Sequence, residues 1–184
     1  MRTADADILI VPGLSDPSED HWQARWVAKL PTARRVDLGD WQNPDRERWV
    51  DSLATAVASC TRPVVLVGHS LGVVTVVHAA PLFPKGLVSG AFLVSPHDVE
   101  KGEDIPEAER AFAPIPRDPL LFPSVVVASR SDPHCAYERA EDLSYAWGSA
   151  LSDAGDAGRI NQSSGHGPWP EGLMRFAGFL KTLG

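Results

Sequence analysis

Ser70 stands in Gly68-His69-Ser70-Leu71-Gly72, a Gly-x-Ser-x-Gly pattern directly after the apolar, β-branched run Val64-Val65-Leu66-Val67. A strand that turns sharply into a helix at such a pentapeptide lifts a serine hydroxyl above the sheet. Glycines on both sides remove the Cβ clashes that the turn would otherwise create. The chemistry would be nucleophilic: Ser70 Oγ attacks an acyl carbon and forms a covalent acyl-serine. The bare pattern is short enough to arise by chance as a generic strand-to-turn sequence. The apolar Val73 to Ala80 segment that follows, closed by Pro81 and Pro84, adds the helix that the elbow requires.

A serine hydroxyl needs an imidazole to take its proton and a carboxylate to orient that imidazole. Ser129-Arg130-Ser131-Asp132-Pro133 follows a late apolar strand and places Asp132 at a carboxyl end, where active sites of open parallel sheets collect. Asp132 is the acid candidate, with capping of a helix that starts at Pro133 as the alternative. In the chain order Ser, Asp, His, the base comes last. That points to His166 in Gly165-His166-Gly167-Pro168, with His134 beside Asp132 and His97 after Leu93-Val94-Ser95 as further candidates. His21, His69 and His78 read as structural. An oxyanion hole takes one amide from the residue after the nucleophile, Leu71, and one from an early strand-to-loop turn. Val11-Pro12-Gly13-Leu14 supplies the second at Leu14. Cys135 is a rival nucleophile without a persuasively placed base.

The elements that must position these groups alternate. Strand-like runs lie at Ile8–Val11, Arg35–Leu38, Val64–Val67, Leu87–Ser95, Ser124–Ser129 and Ala150–Asp153; helical spacing marks Asp20–Leu30, Asp45–Ser59, Glu138–Trp147 and Glu171–Leu183. Alternation with near-continuous apolar strands predicts an α/β fold: a mostly parallel sheet of about six strands with helices on both faces. The Pro-rich, charged stretch from Pro96 to Pro123 reads as an irregular loop near the strand ends. Trp22 and Trp26, one helical turn apart, are expected to pack on the sheet, and Trp169, in the His166 loop, is expected to wall the substrate pocket.

The 184 residues suit one domain spanning 1–184, and 43% hydrophobic content suffices for a core. A net charge of −7 without a basic run argues against nucleic acid or an anionic membrane as partner. Cys60 and Cys135 have neither disulfide-scaffold nor metal-ligand spacing, so no metal is expected. No signal or membrane-spanning segment is read, and a soluble, cytoplasmic protein is the expectation. Oligomeric state is not legible.

Dispersed signatures add a resemblance. Val11-Pro12-Gly13-Leu14, His21-Trp22-Gln23 with Trp26, Asp40-Trp41 with Pro44 and Trp49, the Ser70 elbow, Ser129 to Pro133, Ala146-Trp147-Gly148 and Ser164 to Gly172 occur in one order across nearly the whole chain. Together they resemble the small retinoblastoma-binding-protein-nine-like and YdeN-like serine hydrolases of the α/β-hydrolase superfamily. The resemblance implies a minimal α/β-hydrolase fold without a large cap, and hydrolysis of small esters or amides without metal or cofactor. It also marks a departure. Family members read Gly-His-Ile-Asn where this chain has Gly158-Arg159-Ile160-Asn161, so Arg159 stands in the slot of the catalytic histidine. A guanidinium stays protonated and cannot accept the serine proton; beside Asp132 it is expected to form a bidentate ion pair. Either His166 or another histidine then serves as base, or the chain is a catalytically impaired hydrolase-fold protein that binds a ligand or a protein.

Overall fold

The computed structural model describes residues 1–14 and 18–184. Six parallel strands form one sheet: β1 (Asp7–Val11), β2 (Ala33–Arg35), β3 (Val64–Ser70), β4 (Val88–Pro96), β5 (Ser124–Ala128) and β6 (Ala150–Asp153), in the order β2-β1-β3-β4-β5-β6. The chain runs outward from β1 to β2 and returns to β3 on the other side of β1. The switch in strand order therefore falls between β1 and β3, and the carboxyl ends there are where an open α/β sheet forms its crevice.

Strand side chains alternate between two cores. Leu9, Val11, Leu66, Leu93 and Val126 face one side, and Ile8, Ile10, Val65, Val67 and Phe92 face the other. On the first face lie α2 (Arg46–Ala58), α3 (Leu71–Ala79) and α5 (Tyr137–Trp147), packed through Trp49, Leu53, Val74, Leu143 and Trp147. On the second lie α1 (Trp22–Lys29) and α6 (Pro170–Thr182), packed through Trp22, Trp26, Phe176 and Leu180. A strand buried on both sides has no polar alternation, which is why β3 reads as an unbroken apolar run. Among the described residues no helix is long and apolar enough to cross a membrane.

The sequence-based boundaries hold for most elements, with a correction at the second strand. The second strand, expected at Arg35–Leu38, pairs earlier, with Ala33 opposite Ile8 and Arg35 opposite Ile10. Val36 and Leu38 are core residues all the same, 3% and 4% exposed, because the extended segment after β2 folds down onto α2. An edge strand is recognised by its partner's register, and its apolar content lay in the loop. The helix read at Glu138–Trp147 spans Tyr137–Trp147, so the alternative of a helix starting at Pro133, capped by Asp132, is not formed. The 97–123 stretch is irregular apart from α4 (Glu107–Arg110), yet it is anchored: Phe112 and Ile115 are buried, and Glu100 receives Arg117, Arg139 and the Ile115 amide. The Arg117 hydrogen bond leads in holding the Glu100 carboxyl down at about 2.

Two glycines test this packing in opposite directions. A Cβ on Gly72, in the first turn of α3, would meet the carbonyl oxygens of Val11 and Pro12, the latter at 2.6 Å, whereas a Cβ on the exposed Gly178 of α6 meets nothing within 4 Å. Gly72→Ala should lower unfolding free energy by about 1–3 kcal/mol, since the helix start must back away from β1. Gly178→Ala should raise it by up to about 1 kcal/mol through helix propensity alone. Urea denaturation of the two variants checks this; a Gly72→Ala protein as stable as the parent would contradict the close approach.

Candidate active site

Ser70, Asp132 and Arg159 meet at the carboxyl edge of the sheet. Ser70 ends β3 with φ 60° and ψ −126°, a conformation that L side chains avoid and that the elbow imposes. Leu71 opens α3, so its amide has no intrahelical acceptor. The turn after β1 presses against it: a Cβ on Gly13 would lie 2.7 Å from Ser70 Cβ and 3.0 Å from Leu71 N. Only glycine lets this turn, with Leu14 next in line, sit so close to the elbow. Gln23 of α1 fixes the approach by donating to Val11 O at 3.3 Å and Val67 O at 3.2 Å, across the β1–β3 switch.

Position 159 is held as tightly. Ser129 Oγ accepts from Ala157 N at 3.0 Å and Ser131 Oγ from Gly158 N at 3.0 Å. His69 Nε2 donates to Arg159 O at 3.0 Å, and Trp22 Nε1 donates to Ile160 O at 2.9 Å. Gly158 and Ile160 both have positive φ, 57° and 51°. The end of β5, the elbow and α1 thus aim the residue 159 side chain at Ser70.

That side chain is the hub of the site. Arg159 is 8% exposed; its Nη1 donates to Asp132 at 3.0 and 3.2 Å and to Pro96 O at 3.3 Å. Its Nη2 donates to Ser70 Oγ at 2.5 Å and to His97 Nδ1 at 2.8 Å. The expected fork-to-fork pair with Asp132 is therefore not formed. One nitrogen serves both carboxylate oxygens, and the other is turned to Ser70 and His97. Burial pulls the Arg159 pKa below its ordinary value, opposed by Asp132, and the group remains a cation.

His97 and Glu109 join the site from the 97–123 loop. Because Arg159 donates to Nδ1, the imidazole carries its proton on Nε2 and donates it to Glu109 Oε2 at 2.8 Å. The ring is neutral: burial, reinforced by the Arg159 charge, pushes it down to about 3, while burial raises the Glu109 carboxyl. The bond is thus a neutral donor on a carboxylate, not an ion pair. Sequence reading placed His97 near the site but missed Glu109, because no spacing links a four-residue helix in a Pro-rich loop to a strand end.

The remaining candidates lie elsewhere. His166 Nδ1 bonds Ser164 Oγ at 2.9 Å, and its ring stands edge-on to Trp169, so the structure does not bring it to Ser70 or Asp132 by a hydrogen bond. His134 stacks on His97 with centroids 5.2 Å apart, while its amide donates to Asp132 Oδ1 at 2.9 Å. Asp132 thus caps a turn as well as receiving Arg159. Trp169, expected as a pocket wall, is a core ring: it is 6% exposed and packs on Trp22, Trp26 and Phe92, because α6 folds back over β4. Burial lifts the Cys135 thiol to about 12, which leaves it no nucleophilic role. His78 is bonded to Phe112 O, as a structural histidine would be. Among the described residues no group of three His, Cys, Asp or Glu side chains could hold a metal.

The buried histidines make stability depend on pH. His97 binds a proton near pH 3 when folded and near 6.5 when unfolded, so the unfolded chain takes up the proton first as pH falls. Stability should therefore decline from about pH 6.5 towards pH 3, by at most about 1.4 kcal/mol per pH unit for this group. His21, pushed by burial down to about 4, and buried His69 act in the same sense. Urea unfolding between pH 7 and pH 4 should show a shallower slope in His97→Gln than in the parent; equal slopes would mean that His97 is not held neutral.

Comparison with known proteins places this architecture. A YdeN-like hydrolase of Pectobacterium atrosepticum superposes with a TM-score of 0.85 at 34% identity, over 98% of this chain and 94% of that one. The ydeN gene product of Bacillus subtilis matches at 0.78 and 18% identity, over 96% and 99%. Est1E of Butyrivibrio proteoclasticus, solved with ferulic acid, shares the fold at 0.65 and 12% identity, over 92% and 88%. No curated protein matches the sequence. The family model described as serine hydrolase matches residues 8–178. With an elbow serine at the strand switch and a 34%-identical YdeN-like relative along nearly its whole length, the chain belongs to the serine hydrolase family of the α/β-hydrolase superfamily.

Proposed function

We propose that the chain cleaves small esters or amides by acyl transfer to Ser70, and that Arg159 holds this activity to a low level. The carrying observation is the 2.5 Å bond from Arg159 Nη2 to Ser70 Oγ, in the place where a general base would accept the serine proton. Ser70 Oγ would attack the carbonyl carbon while its proton passes to solvent water, which returns it to the leaving oxygen or nitrogen on collapse, and the Leu14 and Leu71 amides would receive the carbonyl oxygen as it becomes an oxyanion. Collapse expels the protonated alcohol or amine, and water then cleaves the acyl-serine. In this scheme Asp132 is the orienting acid.

Arg159 opposes the first step in two ways. Its N–H engages a lone pair of Oγ, and being a cation it offers no site for the proton. It also occupies the carboxylate that would orient a histidine. The second reading, a ligand- or protein-binding module on a hydrolase scaffold, is favoured by the same bond. The two differ in whether the frame still performs chemistry once a base is supplied.

The test is p-nitrophenyl butyrate hydrolysis by the parent, Arg159→His and Ser70→Ala. Arg159→His should raise kcat by about 10²–10⁴, the usual worth of a positioned general base, and Ser70→Ala in that background should remove the gain. Rapid parental turnover unchanged by Arg159→His would show that another histidine already serves. No turnover in either protein would favour the binding module, and undiminished turnover in Ser70→Ala would end the acyl-serine reading.

A further inference from the structure

His97 reaches the nucleophile by a route outside the Ser, Asp, His order. At the end of the β3–β4 ladder Val94 pairs with His69, but Pro96 rather than Ser95 pairs with Ser70. Ser95 is the extra residue of a β-bulge, fully buried and held at φ 47° beside the φ 60° of Ser70. A bulge at a strand end re-aims the side chains that follow it, and here it delivers His97, the first residue after β4, to the elbow. Two strained residues on neighbouring strands thus set the nucleophile and this imidazole side by side.

Arg159 Nη2 donates both to Ser70 Oγ, at 2.5 Å, and to His97 Nδ1, at 2.8 Å. A single nitrogen atom therefore stands between the hydroxyl and the imidazole lone pair. On the far side of the ring, Nε2–H is given to Glu109 Oε2 at 2.8 Å, and the two side chains are only 6% and 16% exposed. Carboxylate, imidazole and serine follow one another as in a triad, with the ring turned end for end. Its proton faces the carboxylate from Nε2, and its lone pair faces the serine side from Nδ1. The row owes nothing to Asp132 except the guanidinium lodged in it.

We propose that His97 and Glu109 are a second acid–base pair for Ser70, and that the Arg159 guanidinium is the plug that separates the pair from the nucleophile. The assignment rests on Ser70 as nucleophile and adds where its proton goes once the plug is withdrawn. As Oγ bonds to the acyl carbon, its proton passes to His97 Nδ1 by way of a water in the space the guanidinium leaves. Glu109 stabilises the resulting imidazolium through Nε2–H. On collapse Nδ1–H returns the proton to the leaving oxygen or nitrogen, and the water that cleaves the acyl-serine is deprotonated the same way. His97 is a catalytic residue of this pair, and Glu109 is a positioning residue that acts through it. Burial first and the Arg159 charge second hold the ring down to about 3, so withdrawing the cation makes Nδ1 a stronger base.

The experiment measures p-nitrophenyl butyrate hydrolysis by the double variant Asp132→Asn, Arg159→Ala, which has neither a base at position 159 nor a carboxylate at position 132. Removing both partners of the ion pair leaves no lone buried charge, and an amide at position 132 still accepts the His134 N–H. Arg159→Ala alone is the second background, and a cooperative urea transition checks that each is folded. In both, kcat should rise about 10²-fold over the parent, and adding His97→Gln should return it to the parental level. Adding Glu109→Gln should lower kcat about ten-fold with KM unchanged, because an amide accepts Nε2–H but does not balance an imidazolium. Parental rates in the folded backgrounds, or a gain that survives His97→Gln, overturn the pair; a Glu109→Gln effect on KM alone removes Glu109 from it. In the unaltered parent, ¹⁵N shifts should show His97 Nδ1 bare and Nε2 protonated, and the opposite tautomer overturns the pair whatever the variants do. Turnover by Arg159→His with both backgrounds silent overturns the pair and leaves Ser70 standing, whereas a gain that survives Ser70→Ala strikes at the nucleophile itself.

Discussion

The site is organised by the need to satisfy one buried guanidinium. Arg159 is always charged and 8% exposed, and a cation withdrawn from water to that degree must find acceptors or unfold its surroundings. The carboxyl ends of three strands provide them: Ser70 from β3, Pro96 O and His97 just after β4, and Asp132 after β5. The charge of Asp132 balances the cation, while the neutral acceptors complete its hydrogen bonds. Loss of Asp132 would leave the cation buried and uncompensated, the kind of change that costs several kcal/mol where loss of a surface pair costs almost nothing.

The same interaction sets the state of its neighbours. His97 is neutral because it is buried and because the Arg159 cation repels a second charge, and its proton sits on Nε2 because Nδ1 faces an N–H of Arg159. Glu109 then accepts from Nε2, which ties α4 and its loop to the sheet. His69, on the other side, uses Nε2 to hold the Arg159 carbonyl, and burial with nearby positive charge keeps it neutral. Two imidazoles, His69 and His97, lie within reach of the guanidinium charge with no net repulsion because burial keeps both rings neutral near pH 7.

Local chemistry was legible in the sequence where a residue answers to its own neighbours. The elbow at Ser70 needs glycines two positions away on each side, β3 needs an unbroken apolar run, and α2 needs Asp45 before its apolar stripe; each appears as such in the chain. The strand count and the parallel sheet followed from the same local patterns. What was not legible depends on partners far along the chain. β2 takes its register from β1, so the apolar Val36 and Leu38 misled; Trp169 looked like a pocket residue beside His166 but answers to α1 and Phe92. Arg159 could be placed against Asp132 from the family frame, but its second nitrogen, its reach to His97 and the role of Glu109 are properties of three loops meeting in space.

Position 159 therefore carries two demands that conflict. For stability, arginine suits the frame, because its donors match Asp132, Pro96 O, Ser70 Oγ and His97 Nδ1 together. For acyl transfer, histidine suits it, since an imidazole can take the serine proton and still donate to Asp132. An imidazole has only two nitrogens, so installing it leaves Pro96 O and His97 Nδ1 to find other partners. The backbone clamp from Ser129, Ser131, His69 and Trp22 does not depend on which side chain is present. Because the clamp acts on the backbone, a more reactive occupant would leave a less satisfied site in the proposed scheme, an exchange of stability for activity.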